Sequence, residues 1–436
     1  MERIVDLIRS KRDGEEVSLA DFEKLINGYT LEEISDAQMG AFLMAGVCNG
    51  FNDSEAASIT AAMLRCGEQI DLSALDKARV DCYSTGGVGD KIPLIAAPIA
   101  AAAGVAVPMI VERGTGHIIG SLGKLQSVPG FRTALEVADF ADLVTEFGLA
   151  FAEQGNSLAP ADKRLYELRN DTATVESLAL IAASAMSKKL AEDLSGLVVD
   201  VKVSRGSLLS GRTEARRLAQ LIISIGRKLD VKVQALLTDI DQPLGYTVGN
   251  ALEIMEVSQT LQGEGPEDVS ALANEVAARM IFLADTSISM DGAREKAQAA
   301  IQNGSALQTL ASVIAAQGGD PEALTNFEKL PLTKGAYPIT SPRDGYVSKI
   351  NAADIGRAAV LLGAGDSGTG TVADPAVGVV LEAKVGQAVL NGTRLCSLYY
   401  NDSTNLEEAQ QLVEDAFRIS TSEPEPRDLV LDLIQG

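Results

Sequence analysis

Nine consecutive residues constrain this chain more than any others: Tyr83-Ser84-Thr85-Gly86-Gly87-Val88-Gly89-Asp90-Lys91. Before them, Ala78 to Cys82 is short and partly β-branched, which predicts a strand. After them, Ile92 to Ala103 is apolar and alanine-rich, which predicts a buried helix. A strand, a glycine turn and a helix start together make an anion site. The first amides of the helix lack intrahelical partners, and the helix dipole favours negative charge there. Glycine lets the backbone approach a ligand without a Cβ in the way. The turn lacks the Gly-Lys-Ser/Thr ending of a Walker loop and only approaches the dinucleotide-binding spacing. A tight turn with no ligand is the plain alternative, and the flanking strand and helix weigh against it.

Composition narrows the setting of that turn. With 436 residues, 46% of them hydrophobic, two or three domains are expected. The 37 Lys+Arg against 60 Asp+Glu give a net charge of −23, which argues against nucleic acid or an anionic membrane as partner. Cys48, Cys66, Cys82 and Cys396 are far apart and form no CxxC, so zinc and disulfides are not expected. The first residues show no apolar leader core, and the reading is cytoplasmic. The longest apolar run, Ile92 to Val111, is broken by Pro93, Pro98, Gly104 and Pro108, which fits a buried helix and strand rather than a membrane span.

Along the chain, residues 1–66 read as helices, with Ser18 capping one of them and Asp21 at its N3 position. From 78 to 154 strands and helices alternate, as in a parallel sheet. Val105 to Val111 is the second strand, and Glu112 to His117 is the loop at its carboxyl end, facing the same crevice as the glycine turn. Helices are expected at Asp162 to Arg169 and Thr174 to Leu190, a strand at Leu197 to Val203, a helix at Glu214 to Lys228 and a strand at Val231 to Leu237. Residues 336–436 read as β-rich.

Several ordered motifs then carry a resemblance. Ser84 to Asp90, Arg113-Gly114 with Gly116-His117, and Lys124-Leu125 with Ser127, Pro129, Gly130 and Phe131 are among them. So are Leu158 to Lys163, Thr172 to Val175, Asp200-Val201-Lys202, and Leu237 through Glu253. Together they resemble the thymidine/pyrimidine-nucleoside phosphorylases over nearly the whole chain. The resemblance implies an α/β fold of the nucleoside phosphorylase/phosphoribosyltransferase type. A helical lobe (1–66 and 156–193) would bind the base, an α/β lobe (67–155 and 194–335) would bind phosphate, and a C-terminal α+β domain would span 336–436. It also implies a homodimer that splits a pyrimidine nucleoside with inorganic phosphate, the lobes closing over the sugar.

By the same resemblance, Arg169, Ser184 and Lys188 hold the base, with Tyr83, Asp162 and Arg169 in catalytic positions. Ser84, Thr85, Gly86, Gly87, Lys91 and Ser121 are left for phosphate. No cofactor is required, although some members hold a monovalent cation such as K+. The matching positions are Gly89, Lys91, Leu244, Thr247 and Glu256.

The phosphate side departs from the family pattern. Cys82-Tyr83 stands where the family has lysine and histidine, Pro93 replaces a serine, and Val111-Glu112 replaces Ser-Gly. One lost cation and two lost hydroxyls cost phosphate several kcal/mol, taking roughly 1.5–3 for each charged hydrogen bond and about 1 for each neutral one. Arg205 restores a positive charge if it turns into the crevice, a solvated arginine being the commoner outcome. Glu112 adds repulsion if it points inward and nothing if it points to solvent. Three alternatives stay open: a relative with another acceptor, using Glu112 or Asp162 as base; a non-catalytic nucleobase binder; and a phosphoribosyltransferase.

Overall fold

The computed structural model describes residues 3–114, 116–155, 158–204, 211–365 and 372–435. Thr115 and Arg205 to Ser207, which the sequence places in cleft loops, lie outside the described residues.

Four helices open the chain: α1 (Ile4–Arg12), α2 (Leu19–Thr30), α3 (Asp36–Asn49) and α4 (Asp53–Arg65). Their starts follow from their caps. Ser18 Oγ accepts the Asp21 amide at 3.2 Å, and Ser35 and Asn52 close capping boxes with Gln38 and Glu55. There follow β1 (Val80–Ser84), α5 (Ile92–Ala102), β2 (Val107–Val111), α6 (Ser121–Gln126), α7 (Val137–Phe147) and β3 (Leu149–Glu153). The chain then returns to the first lobe through α8 (Pro160–Asp171) and α9 (Leu178–Leu190). Every residue of α9 from Ala179 to Leu190 is buried, because the helix packs on α4 and α10 and against the sheet.

The α/β lobe continues with β4 (Gly196–Val203), α10 (Arg212–Lys228), β5 (Lys232–Asp239), β6 (Thr247–Val248), α11 (Asn250–Leu261), α12 (Glu267–Ala284), α13 (Met290–Gln302) and α14 (Ser305–Ala316). Strands β1, β4 and β5 are parallel neighbours, with Ser84 opposite Asp200 and Asp200 opposite Leu236. Strands β2 and β3 form a parallel pair joined to β1 by the bridge between Arg79 and Ala106. The spatial order is therefore β3-β2-β1-β4-β5. It reverses at β1, and the glycine turn leaves the carboxyl end of that strand. Open α/β sheets bind ligands at such a reversal. Strand β1 begins two residues later than the sequence predicts and takes in Tyr83 and Ser84, because pairing with β4 runs on to Asp200.

The last region is α+β, with helices among its strands. It contains β7 (Gly335–Thr340), β8 (Gly345–Ile350), α15 (Ala352–Leu361), β9 (Gly378–Leu381), β10 (Ala388–Val389), β11 (Arg394–Tyr400), α16 (Leu406–Ala416) and β12 (Phe417–Ser420). Its sheets are ordered β10-β8-β12 and β6-β9-β11-β7, so β6 from the α/β lobe is an edge strand of the second. The end of the 336–436 stretch reaches back to the α/β lobe. Strand β13 (Val430–Gln435) leaves it and pairs antiparallel with β5, covering that edge of the α/β sheet. Among the described residues no helix is long and apolar enough to cross a membrane.

Candidate active site

The site forms where α8 and α9 of the helical lobe meet the carboxyl ends of β1 and β2. Two alanines with left-handed backbone, Ala159 (φ 47°) and Ala173 (φ 53°), bracket α8. Such conformations cost of order 1–2 kcal/mol each and cluster at functional sites. Asp162 and Arg169 face inward from this helix, both buried. Ser184 and Lys188 lie one turn apart on α9, and Lys188 Nζ is 3.5 Å from Ser184 Oγ.

Lys188 is the centre of the cluster. Its ammonium is 2.8 Å from Asp162 Oδ2 and 2.6 Å from Glu112 Oε1. Burial alone would lower its pKa, but Asp162 and Glu112 outweigh burial and hold it above the ordinary lysine range. Glu112 therefore points inward, with its Oε1 sealed although 40% of the side chain is exposed. Burial would raise its pKa, but the Lys188 charge more than offsets this and keeps it below the usual glutamate value. The Glu112–Lys188 pair bridges the two lobes. Tyr83, at the end of β1, is half-buried in the same cluster; burial first and then the Glu112 charge push its phenol up, so it stays protonated.

Arg169 is built into the helical lobe. Its guanidinium donates to the carbonyls of Thr174, Leu180 and Val175 at 3.4, 3.2 and 2.8 Å. Those bonds engage three of its five N–H donors and close the loop between α8 and α9.

The glycine turn is a tightly determined structure. The Thr85 amide donates to Asp200 O at 3.0 Å and Thr85 Oγ1 accepts from the Lys202 amide at 2.9 Å. Ser84 donates to Asp90 and accepts the Gly86 amide at 3.2 Å, so the Ser84 and Thr85 hydroxyls hold the turn itself. Gly86 has φ +85°, and a Cβ there would lie 3.5 Å from Ile118 Cγ2. A Cβ on Gly87 would come 2.7 Å from Ile240 Cδ1, so a side chain there would push Ile240 aside. A small cavity of about 10 Å³ lies beside Gly87 and Val88, where Ile118 and Ile240 meet Ala352 and Ala353 of the C-terminal domain. That holds about one water. Ser121, half-buried, begins the short helix α6 nearby.

Lys91 requires a correction. A phosphate ligand would face the crevice; its ammonium instead lies on the underside of the turn against Glu256 and Thr247. The side chain is fully buried, and it takes the direction in which acceptors are available.

A second charged cluster escapes sequence reasoning. Lys189, next to Lys188, turns the opposite way and reaches Asp81 Oδ2 at 2.6 Å, Glu192 Oε1 at 2.8 Å and the Ile110 carbonyl at 3.0 Å. Burial would lower its pKa, but Asp81 and Glu192 hold it up. It fastens the end of α9 to β1 and β2, so that Lys188 is held over the crevice. The available signal is a charge inside an apolar strand, Val80-Asp81-Cys82. Cys82 itself is buried, and burial pushes its thiol well up, as expected of a core filler and not of a nucleophile.

Comparison with known proteins agrees with this architecture. The profile "Glycosyl transferase family, a/b domain" matches residues 76–307, the family's helical bundle domain matches 5–67, and "Pyrimidine nucleoside phosphorylase C-terminal domain" matches 346–420. A pyrimidine-nucleoside phosphorylase from Geobacillus stearothermophilus is 42% identical over 432 residues, covering 99% of this chain and 100% of its own. The chain belongs to the pyrimidine-nucleoside phosphorylase family. Another member, from Bacillus subtilis (strain 168), is 40% identical over 427 residues and is covered over 98% of both chains. Anthranilate phosphoribosyltransferase from Thermus thermophilus shares the fold. Its TM-score is 0.60 at 16% identity, over 72% of this chain and 99% of that one. Within the family architecture, the helical lobe contributes Asp162, Arg169, Ser184 and Lys188, and the α/β lobe contributes Tyr83, Glu112 and the glycine turn.

Proposed function

We propose that the protein is a pyrimidine-nucleoside phosphorylase, cleaving a pyrimidine nucleoside or deoxynucleoside with inorganic phosphate. A phosphate oxygen bonds to C1′ as the bond from C1′ to the ring nitrogen breaks. The electron pair leaves with the pyrimidine, and the proton of the attacking phosphate ends on it. The products are free base and the pentose 1-phosphate.

The observation that carries this reading is the convergence of Lys188, Ser184 and Asp162 with Tyr83 at the carboxyl end of β1, beside the glycine turn. A buried cation stabilises the charge that grows on the leaving ring, and Ser184 fixes the ring edge. Tyr83, held protonated, donates to a sugar hydroxyl. Phosphate enters over the glycine turn once Glu112 has moved off. The reading includes a homodimer working in cytoplasmic nucleoside salvage, as the family implies.

The test is a panel of uridine, thymidine, deoxyuridine and cytidine with and without phosphate, following free base and pentose 1-phosphate together. Equal, phosphate-dependent release of both is expected. Base release that ignores phosphate overturns the reading.

A further inference from the structure

The residues that family resemblance marks for a monovalent cation do come together, but the middle of the cluster is filled by one of them. Lys91 Nζ is 3.3 Å from Leu244 O, 3.1 Å from Thr247 O and 3.2 Å from Thr247 Oγ1, and it is paired with Glu256 Oε2. Glu253 Oε2 lies 3.9 Å away on the far side. The lysine side chain is fully buried. Two main-chain carbonyls, a hydroxyl and a carboxylate are the oxygen donors that a hard cation takes. An ammonium carries the same single charge as K+ and three N–H donors, and it satisfies this shell. A second cation in the shell would stand a few ångströms from the first, both charges held by buried side chains where screening is weak. The residues present therefore do not fit a bound K+.

We propose that the Lys91 ammonium is a tethered replacement for that ion, so that the glycine turn is positioned without any diffusible cation. The cage lies where position matters. A Cβ on Gly89 would be 2.5 Å from Leu244 O, and the Leu244 amide donates to Val88 O at 3.1 Å, so the turn rests directly on this segment. Glu256 also accepts the Tyr246 amide at 2.8 Å, and β6, which contains Thr247, continues into the sheet of the C-terminal domain. The ammonium thus joins three pieces: the anion turn, the start of α11 and the C-terminal sheet. Lys91 is a positioning residue.

The experiment compares the full-length protein in choline, sodium, potassium and thallium(I) salts at equal ionic strength. It reads melting temperature and thallium uptake, neither of which needs turnover, so the result stands apart from the nucleoside assay. For the unaltered protein the expected result is no thallium bound at millimolar concentration and the same melting temperature in choline and potassium. Lys91→Thr opens the cage. It is expected to bind one thallium per chain and to regain roughly 2–4 °C when choline is replaced by potassium. Lys91→Met fills the space without charge and is expected to gain nothing from potassium. One thallium per chain in the unaltered protein, displaced by potassium, overturns the proposal. So does a potassium-dependent rise in its melting temperature as large as that of Lys91→Thr. If Lys91→Thr fails to fold in every salt, the uptake measured on the unaltered protein decides the matter alone.

Discussion

At the scale of single residues the site turns on Glu112. Its carboxylate sits on Lys188, the cation we propose for the leaving ring, and on that proposal it also faces the incoming phosphate. It therefore opposes phosphate twice, by like charge and by holding the lobes together. Glu112→Gln removes the charge and keeps the shape, and it should lower the KM for phosphate about tenfold with little change in nucleoside KM; one such factor corresponds to about 1.4 kcal/mol. Steady-state kinetics at varied phosphate checks this. Lys188→Ala should lower kcat/KM for nucleoside by about 10²–10³, the usual loss for one preorganised charge donor. The pH response has a definite sign. The folded-state pKa of Glu112 is depressed, so its contribution to stability is complete above the ordinary glutamate value of 4.5 and is lost as pH falls through the depressed value. Melting curves of the unaltered protein should fall more steeply below pH 4.5 than those of Glu112→Gln.

At the scale of elements, α9 explains how a sequence can show a site and still conceal what holds it. Ser184 and Lys188 were marked by the family resemblance, and their four-residue spacing put them on one helix face, where the structure has them. The strand, glycine turn and helix at 80–102 were legible because each signal is local: β-branching, glycine and alanine. The direction of Glu112, the burial of Lys91 and the partners of Lys189 were not legible. Each depends on contacts between segments far apart in the chain, such as Asp81 with Lys189. The sequence also left α14, α15 and α16 unread, their short amphipathic patterns lying among glycine and polar residues. Removing one member of the buried cluster strands the others. Lys189→Met should cost about 3–5 kcal/mol, seen as a melting temperature lower by roughly 10 °C. A loss of activity without loss of stability would mean that Lys189 acts on chemistry and not on the placement of α9.

At the scale of the whole molecule, the lobes and the C-terminal domain are interlocked rather than strung in sequence. Strand β6 joins the C-terminal sheet, and Lys384 from that domain donates to the carbonyls of Pro243 and Gly245 at 2.6 and 2.8 Å. Strand β13 runs back to cover β5. The lobes and their order were implied by the family resemblance, but these crossings were not legible, since a six-residue strand carries no mark of which sheet it will join. Deleting residues 429–436 should lower the melting temperature and promote aggregation, which light scattering during heating will show, because β5 then presents a bare edge. The same strand bears on how the protein is made. The piece that seals β5 is translated only after residues 240–429, so throughout that interval the nascent sheet has an open row of amides and carbonyls beside the ribosome. Neighbouring chains on one messenger are then best placed to pair wrongly, and rapid translation through that stretch or a chaperone over it protects the yield of folded enzyme.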